Sequence, residues 1–417
     1  MHMMISSGMR APFALRFTAS FVVVFVAVLA LVSCRSGVAA GVVYFGEKWI
    51  PCGPEYNIVK ADEGRTWRVL DNQGKLLFAK SFTDEDVRLS RKRIEYSDGA
   101  MYMRRIGEDW RTETISRLEA DGTELPGIEV ERLTRFLVSE EMGVLLTYGP
   151  TPGADGKSTG CYYFKAYSLE TGAPIEGDLP TTWIWQPLVL AGSGSSRLWL
   201  VWRMGKGDEE KGIFLVGYDK QLKEVTRKKL SDLEYVTTIA PPRVDFASLN
   251  DGLVWGVITS PGKAKTLFVY DEATGELKKA PLDLEESTPL RGAMLSDTLV
   301  MWGGETVVFF DPSEMKEMTR PGHQFVDHHR MTEAGAVLSD NKIALAYVDR
   351  YRKHLRPTKL LVYDAAGELV EKAEVKSDWL EHLKLVSKGR EVLVFCRSYT
   401  ARVALEQENE EPQNDEP

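Results

Sequence analysis

Five of the six histidines in this chain fall between positions 323 and 382, and the densest group is HQFVDHHR at 323–330. Imidazole nitrogens beside a carboxylate form the donor set of a zinc-type site, so His323, Asp327 and His328 are the residues to weigh for metal ligation. His328 and His329 are adjacent, and on a strand they point to opposite faces, so they do not both reach one ion easily. His354 and His382 join only if separate loops meet. These side chains read as polar loop histidines, and no metal is assigned. A second group is aromatic, with Trp183 and Trp185 in TWIWQ and Trp199 and Trp202 in LWLVW. Alternation places Trp183 and Trp185 on one face, as packing between stacked sheets or as an aromatic patch for glycan or peptide binding. The chain holds no G-x-S-x-G elbow, no H-E-x-x-H helix and no phosphate loop. No residue is therefore assigned as catalytic, and no cofactor is expected.

What must position these residues is a repeat. TLFVYDEATGELKK (266–279) is an apolar strand, a polar turn with Gly275 where positive φ is needed, and a returning strand. The same pattern occurs seven times, at 67–78, 114–125, 164–175, 215–225, 267–277, 308–318 and 360–370. Its anchors are Asp71, Glu119, Ser168, Asp219, Asp271, Asp311 and Asp364, spaced 40 to 53 residues apart. Carboxylates that recur with the fold point to turn capping rather than catalysis, because they do not converge on one place. A second hairpin type alternates with the first, also seven times, from RIEYSDGAMYM (93–103) to LKLVSKGREVLVF (383–395). Two hairpins per repeat make four strands, and four-stranded units repeated radially are β-propeller blades. No sustained helical stripe competes outside the N-terminus.

The expected fold is all-β: a seven-bladed propeller of four-stranded blades occupying 41–405. Six blades form from consecutive hairpins. The leftover hairpins at 67–78 and 383–395 pair to close the ring, which ties the two ends of the chain together. Six or eight blades stay open, since Gly41 to Ile50 can supply an extra strand. The repeats, as in YDEATGEL (270–277) and YSLETGAP (167–174), resemble those of the quinoprotein-type, YVTN-like propeller superfamily. The adjacent Cys-Cys pair and regular Trp-Gly spacing of its quinone-dependent enzymes are absent, so the resemblance implies fold alone. DEGRTW (62–67) similarly resembles the Asp box of sialidase-type propellers, but Lys60 stands where that family has Ser or Thr, and one copy occurs rather than several.

The first 33 residues hold Arg10, Arg16, no acid and the apolar run Phe21 to Val32, too short to span a bilayer and right for a signal peptide. Leu31-Val32-Ser33-Cys34 resembles the bacterial lipobox. That resemblance implies cleavage before Cys34, acylation of Cys34 and a short linker, 34–40, holding the propeller near a membrane that faces the periplasm or exterior. An ordinary leader cut after Ala40 is the alternative. Export places Cys52, Cys161 and Cys396 in an oxidising compartment, and Cys52 with Cys396 is the disulfide to weigh, because both belong to the closing blade. The formal charge of −9 is concentrated in EQENEEPQNDEP (406–417), an acidic tail expected to be disordered. No basic face marks a nucleic-acid partner.

The expected function is a lipid-anchored, protein-binding or scaffolding propeller of the cell envelope. In architecture it resembles the propeller lipoprotein of the outer-membrane β-barrel assembly machinery. The alternative is a propeller enzyme of lactonase or glycan-lyase kind with a site in the central funnel. No small-molecule or glycan ligand is legible in the chain.

Overall fold

The computed structural model describes residues 42–45, 49–89, 91–131, 135–152, 158–180, 188–190, 195–204, 212–232, 243–259, 264–284, 290–304, 306–321, 330–349, 358–375, 384–388, 391–395 and 400–405. Their strands form eight four-stranded antiparallel sheets. We number these blades in chain order and letter their strands A to D from the innermost outward. Blade 1 is Ile50–Cys52, Tyr56–Ala61, Thr66–Asp71 and Leu76–Ser81, and blade 2 is Lys92–Ser97, Ala100–Ile106, Thr112–Leu118 and Ile128–Glu131. Blade 3 is Arg135–Ser139, Val144–Pro152, Ser158–Ser168 and Pro174–Ile175; blade 4 is Leu188–Leu190, Leu198–Met204, Gly212–Tyr218 and Glu224–Asp232. Blade 5 is Arg243–Asn250, Leu253–Thr259, Lys265–Asp271 and Leu277–Leu282; blade 6 is Arg291–Leu295, Thr298–Gly303, Thr306–Asp311 and Lys316–Thr319. Blade 7 is Arg330–Val337, Ile343–Asp349, Thr358–Tyr363 and Leu369–Val375. Blade 8 takes Lys384–Lys388, Glu391–Phe395 and Thr400–Ala404 from the end of the chain and Val42–Phe45 from its beginning.

The all-β propeller of four-stranded blades is therefore present, and blades 2 to 7 are the six hairpin pairs read from the repeats. The two leftover hairpins do not pair with each other. The one at 67–78 joins Ile50–Cys52 and Tyr56–Ala61, while the one at 383–395 gains Thr400–Ala404 and Val42–Phe45. The sheets thus number eight, and the extra strand left open between Gly41 and Ile50 is what closes the last of them. Val42–Phe45 lies antiparallel on Thr400–Ala404, with Val42 opposite Val403 and Phe45 opposite Thr400.

Burial follows from the stacking. Strands B and C lie inside a blade whose two faces both meet a neighbour, so Gly212–Tyr218 is buried along its whole length. Strand D is on the outer rim and alternates, as in Glu224–Asp232. Each junction between consecutive blades carries its own apolar cluster. Cys52, Trp67 and Phe78 of blade 1 pack on Ile94, Met101 and Met103 of blade 2. Trp302 and Phe309 of blade 6 pack on Leu345 and Tyr347 of blade 7. Trp49, Val59 and Leu70 pack on Leu393 and Phe395, which closes the circle between blades 8 and 1. The Trp49 backbone N–H donates to Thr400 Oγ1 at 3.1 Å across that same seam.

An antiparallel meander sends its A–B and C–D connections to one end of the ring and its B–C and blade-to-blade connections to the other. At the first end, the anchor aspartates cap the C–D turns of blades 1, 4, 5, 6 and 7 as expected. Asp71 Oδ1 accepts the backbone N–H groups of Gln73 and Lys75, both at 2.9 Å, and Asp364 Oδ1 accepts those of Ala366 at 3.0 Å and Glu368 at 2.8 Å. Asp219 holds its turn the same way through Gln221 and Lys223. Asp271 and Asp311 cap with a different spacing, through Ala273 and Thr274 and through Ser313 and Glu314. The second end carries connections of uneven length, among them one with a short helix, α1 (Asp84–Leu89), between blades 1 and 2.

Candidate functional site

The candidates read from the sequence attach to one end of the ring. The strand ends flanking Trp183 and Trp185 (blade 3 to 4), His323, Asp327, His328 and His329 (blade 6 to 7), His354 (B–C of blade 7), His382 (blade 7 to 8) and Cys396 (B–C of blade 8) all lie at the connection end. Those residues themselves, like Cys34 and the flanking 1–40 and 406–417 segments, lie outside the described residues. Cys52 is buried against Ile58 and Trp67 at the junction with blade 2. Among the described residues, no group of three or more His, Cys, Asp or Glu is placed to hold a metal ion. No helix among them is long and apolar enough to cross a membrane.

Two buried ion pairs stand at the connection end. In blade 5, Lys265 Nζ donates to Asp245 Oδ2 at 2.7 Å and to Thr259 Oγ1 at 2.8 Å, and the Lys265 and Asp245 side chains are fully buried. Asp245 sits where the A–B register slips between Val244 and Phe246, and its other oxygen accepts from Arg243 Nε at 2.9 Å. In blade 2, Arg104 grips fully buried Glu113 with two nitrogens, at 2.7 and 3.1 Å, and reaches Glu95 at 3.3 Å. Burial works against the Arg104 charge, but the Glu113 carboxylate more than offsets it and holds the guanidinium pKa above its usual value. Both pairs tie the B–C edge of a blade to its interior.

The groove between blades 1 and 2 has a different character. It measures about 460 Å³ and is floored by Ile58, Trp67, Phe82 and Ile94. Trp67 belongs to the Asp-box-like stretch. Here that stretch is the B–C connection of blade 1, with Asp62, Glu63 and Gly64 all at positive φ, and the indole Nε1 donates to Gly64 O at 3.0 Å. Trp67 and Phe82 meet edge to face, 5.1 Å between centroids. Lys60 Nζ stands 4.3 Å above the Trp67 ring, and partial burial, reinforced by the charge of Arg93, lowers the Lys60 pKa. Beyond the groove, the B–C connection of blade 2 presents Trp110, 40% exposed and at φ 59°. Asp109 Oδ1 fixes that connection by accepting from the backbone N–H groups of Arg111 and Thr112, and Arg91 lies 5.5 Å from the Trp110 ring. Sequence reasoning noted Trp67 but missed Lys60 as a binding group, Phe82, Arg93 and Trp110. These come from four separate segments, and no repeat or motif joins them.

No protein-family model matches the chain, and no curated protein does. Solved structures do match in shape. The crystal structure of BamB from Moraxella catarrhalis aligns over 88% of this chain and 99% of its own, with a TM-score of 0.50 and 12% identity. The structure of apo AztD from Citrobacter koseri aligns over 80% and 87%, with a TM-score of 0.46 and 10% identity. At such identity the likeness speaks for the propeller fold alone.

Proposed function

We propose that this protein is a lipid-anchored propeller of the cell envelope that binds a protein partner through the connection end of its ring. The observation that carries this reading is the asymmetry of the two ends. At one end the C–D turns of blades 1, 4, 5, 6 and 7 are capped by Asp71, Asp219, Asp271, Asp311 and Asp364, whereas the other presents a half-exposed tryptophan on a fixed turn beside an aromatic groove. Exposed aromatics on rigid supports are the usual anchors of protein interfaces, since they bury much area at little entropic cost. The leader and Leu31-Val32-Ser33-Cys34 supply the address, and the architecture resembles an envelope lipoprotein that presents loops to partner subunits.

Photocrosslinking in native cells tests it, with a photoreactive residue at position 110 (connection end) or 75 (turn end). The expected result is a defined envelope protein captured from position 110 and not from 75, and lost when Cys34→Ser removes the anchor. Equal capture from both positions, or capture unaffected by Cys34→Ser, would overturn the reading.

A further inference from the structure

Resting on that reading for the existence of a partner, we propose that the groove between blades 1 and 2 seats an extended acidic segment of the partner, with Lys60 and Arg93 taking its carboxylates. Three acids line the groove, and each is already engaged. Asp86 accepts from Lys92 at 2.8 Å, Glu95 from Arg104 at 3.3 Å, and Glu63 lies 3.7 Å from Arg65. Lys60 and Arg93 line it too, and among the described residues no carboxylate pairs with either. Partial burial disfavours the Lys60 ammonium, and the like charge of Arg93 on the same groove adds to that. An incoming carboxylate offsets both.

The floor decides what else the ligand carries. The Trp67 and Phe82 rings and the Ile58 and Ile94 side chains line the same groove, and so does Ile50, 37% exposed. A chain alternating acidic and apolar side chains matches that surface, as neighbouring side chains of an extended segment point to opposite sides. A polyphosphate or nucleic-acid backbone does not, because it offers no apolar side chains to the floor. Arg93 offers a fork suited to a carboxylate, and Lys60 is held in place by the indole beneath it.

The test uses the whole chain and two fluorescein-labelled peptides, one alternating glutamate with leucine and phenylalanine, the other with glutamine in place of glutamate. Fluorescence anisotropy should show the acidic peptide binding about tenfold more tightly, with the difference shrinking at high salt. Lys60→Gln with Arg93→Gln should abolish the preference, whereas Lys75→Gln at the turn end should leave it intact. Both groove positions are exposed, so the double variant should keep the wild-type urea midpoint. The assignment fails if the two peptides bind alike, if neither binds, or if the double variant retains the preference. Should neither peptide bind while position 110 still captures a partner, the groove assignment falls and the proposed function stands.

Discussion

Replacing Lys265 by Met removes a fully buried ammonium that bonds Asp245 at 2.7 Å and Thr259 at 2.8 Å. The methionine fills much of the same volume, so the loss is electrostatic rather than a cavity. Breaking a buried pair by deleting one partner costs roughly 3–5 kcal/mol, because the remaining charge is left without compensation. Asp245 would retain Arg243 at 2.9 Å and the Thr259 hydroxyl at 3.0 Å, but Arg243 is half exposed and only partly replaces the lost cation. The expected cost is therefore near the lower bound, about 3 kcal/mol. Urea unfolding followed by tryptophan fluorescence measures it, provided the slope of the transition matches wild type. Adding Asp245→Leu to Lys265→Met removes both charges and should recover most of the loss. A single variant within about 1 kcal/mol of wild type, or a double variant no better than the single, would refute the reasoning that this pair is held by mutual compensation.

Two glycines at turn positions separate backbone strain from crowding. Gly99 has φ 80° and open space where an added methyl would stand, so Gly99→Ala should cost only the left-handed strain, about 1 kcal/mol. Gly367 has φ 83°, and a methyl there would stand 2.4 Å from Thr319 Cγ2, so Gly367→Ala should cost about 1–3 kcal/mol more; equal urea midpoints for the two variants would show that blade 6 yields freely to blade 7. The capped turns also predict a pH response. Backbone donors from Thr112 and Arg111 hold the Asp109 carboxyl below its ordinary pKa, and the Ser313 hydroxyl followed by the Glu314 N–H does the same for Asp311. A depressed folded-state pKa contributes stability that is present above the unfolded value and lost as pH falls through the folded one. Thermal stability should thus decline below about pH 4, and Asp109→Asn with Asp311→Asn should flatten that decline. A decline as steep in the double variant as in wild type would assign acid sensitivity elsewhere.

Blades 2 to 7 were legible because each turn solves the same local problem with the same chemistry. A capping oxygen at Asp71, Asp219, Asp271, Asp311 or Asp364 must lie two to four residues before the amides it holds, so the pattern survives divergence of the strands around it. Leu222, at φ 57°, occupies the left-handed position where Gly367 stands in blade 7, and Met315, at φ 54°, the one where Gly275 stands in blade 5, yet the turns of blades 4 and 6 persist. Blade 1 hid its first hairpin behind Pro51 and Pro54, which break the apolar run that marks a strand elsewhere. Blade 8 hid its outer strand at the opposite end of the chain, and no local pattern reports a pairing between Val42 and Val403. The groove was illegible for a related reason. Lys60 and Phe82 meet around Trp67 within blade 1, and Arg93 joins them only when blade 2 is laid on it, so the groove belongs to the packing and not to any stretch of sequence.

The same division explains why function, if it resides at the connection end, leaves so faint a mark. A turn end built from capped hairpins is constrained residue by residue, since losing an anchor oxygen orphans backbone amides. The connections at the other end repeat no such anchor from blade to blade, although Asp109 holds the amides of Arg111 and Thr112 in blade 2. They are free to vary in length and composition, and Trp110 shows what that freedom permits. A bulky residue stands in a left-handed conformation, 40% exposed, on a turn that Asp109 holds through the Arg111 and Thr112 amides. Strain of this kind persists only where surrounding bonds enforce it. On the proposed function the ring is a rigid mount, and specificity is written in the connections it displays.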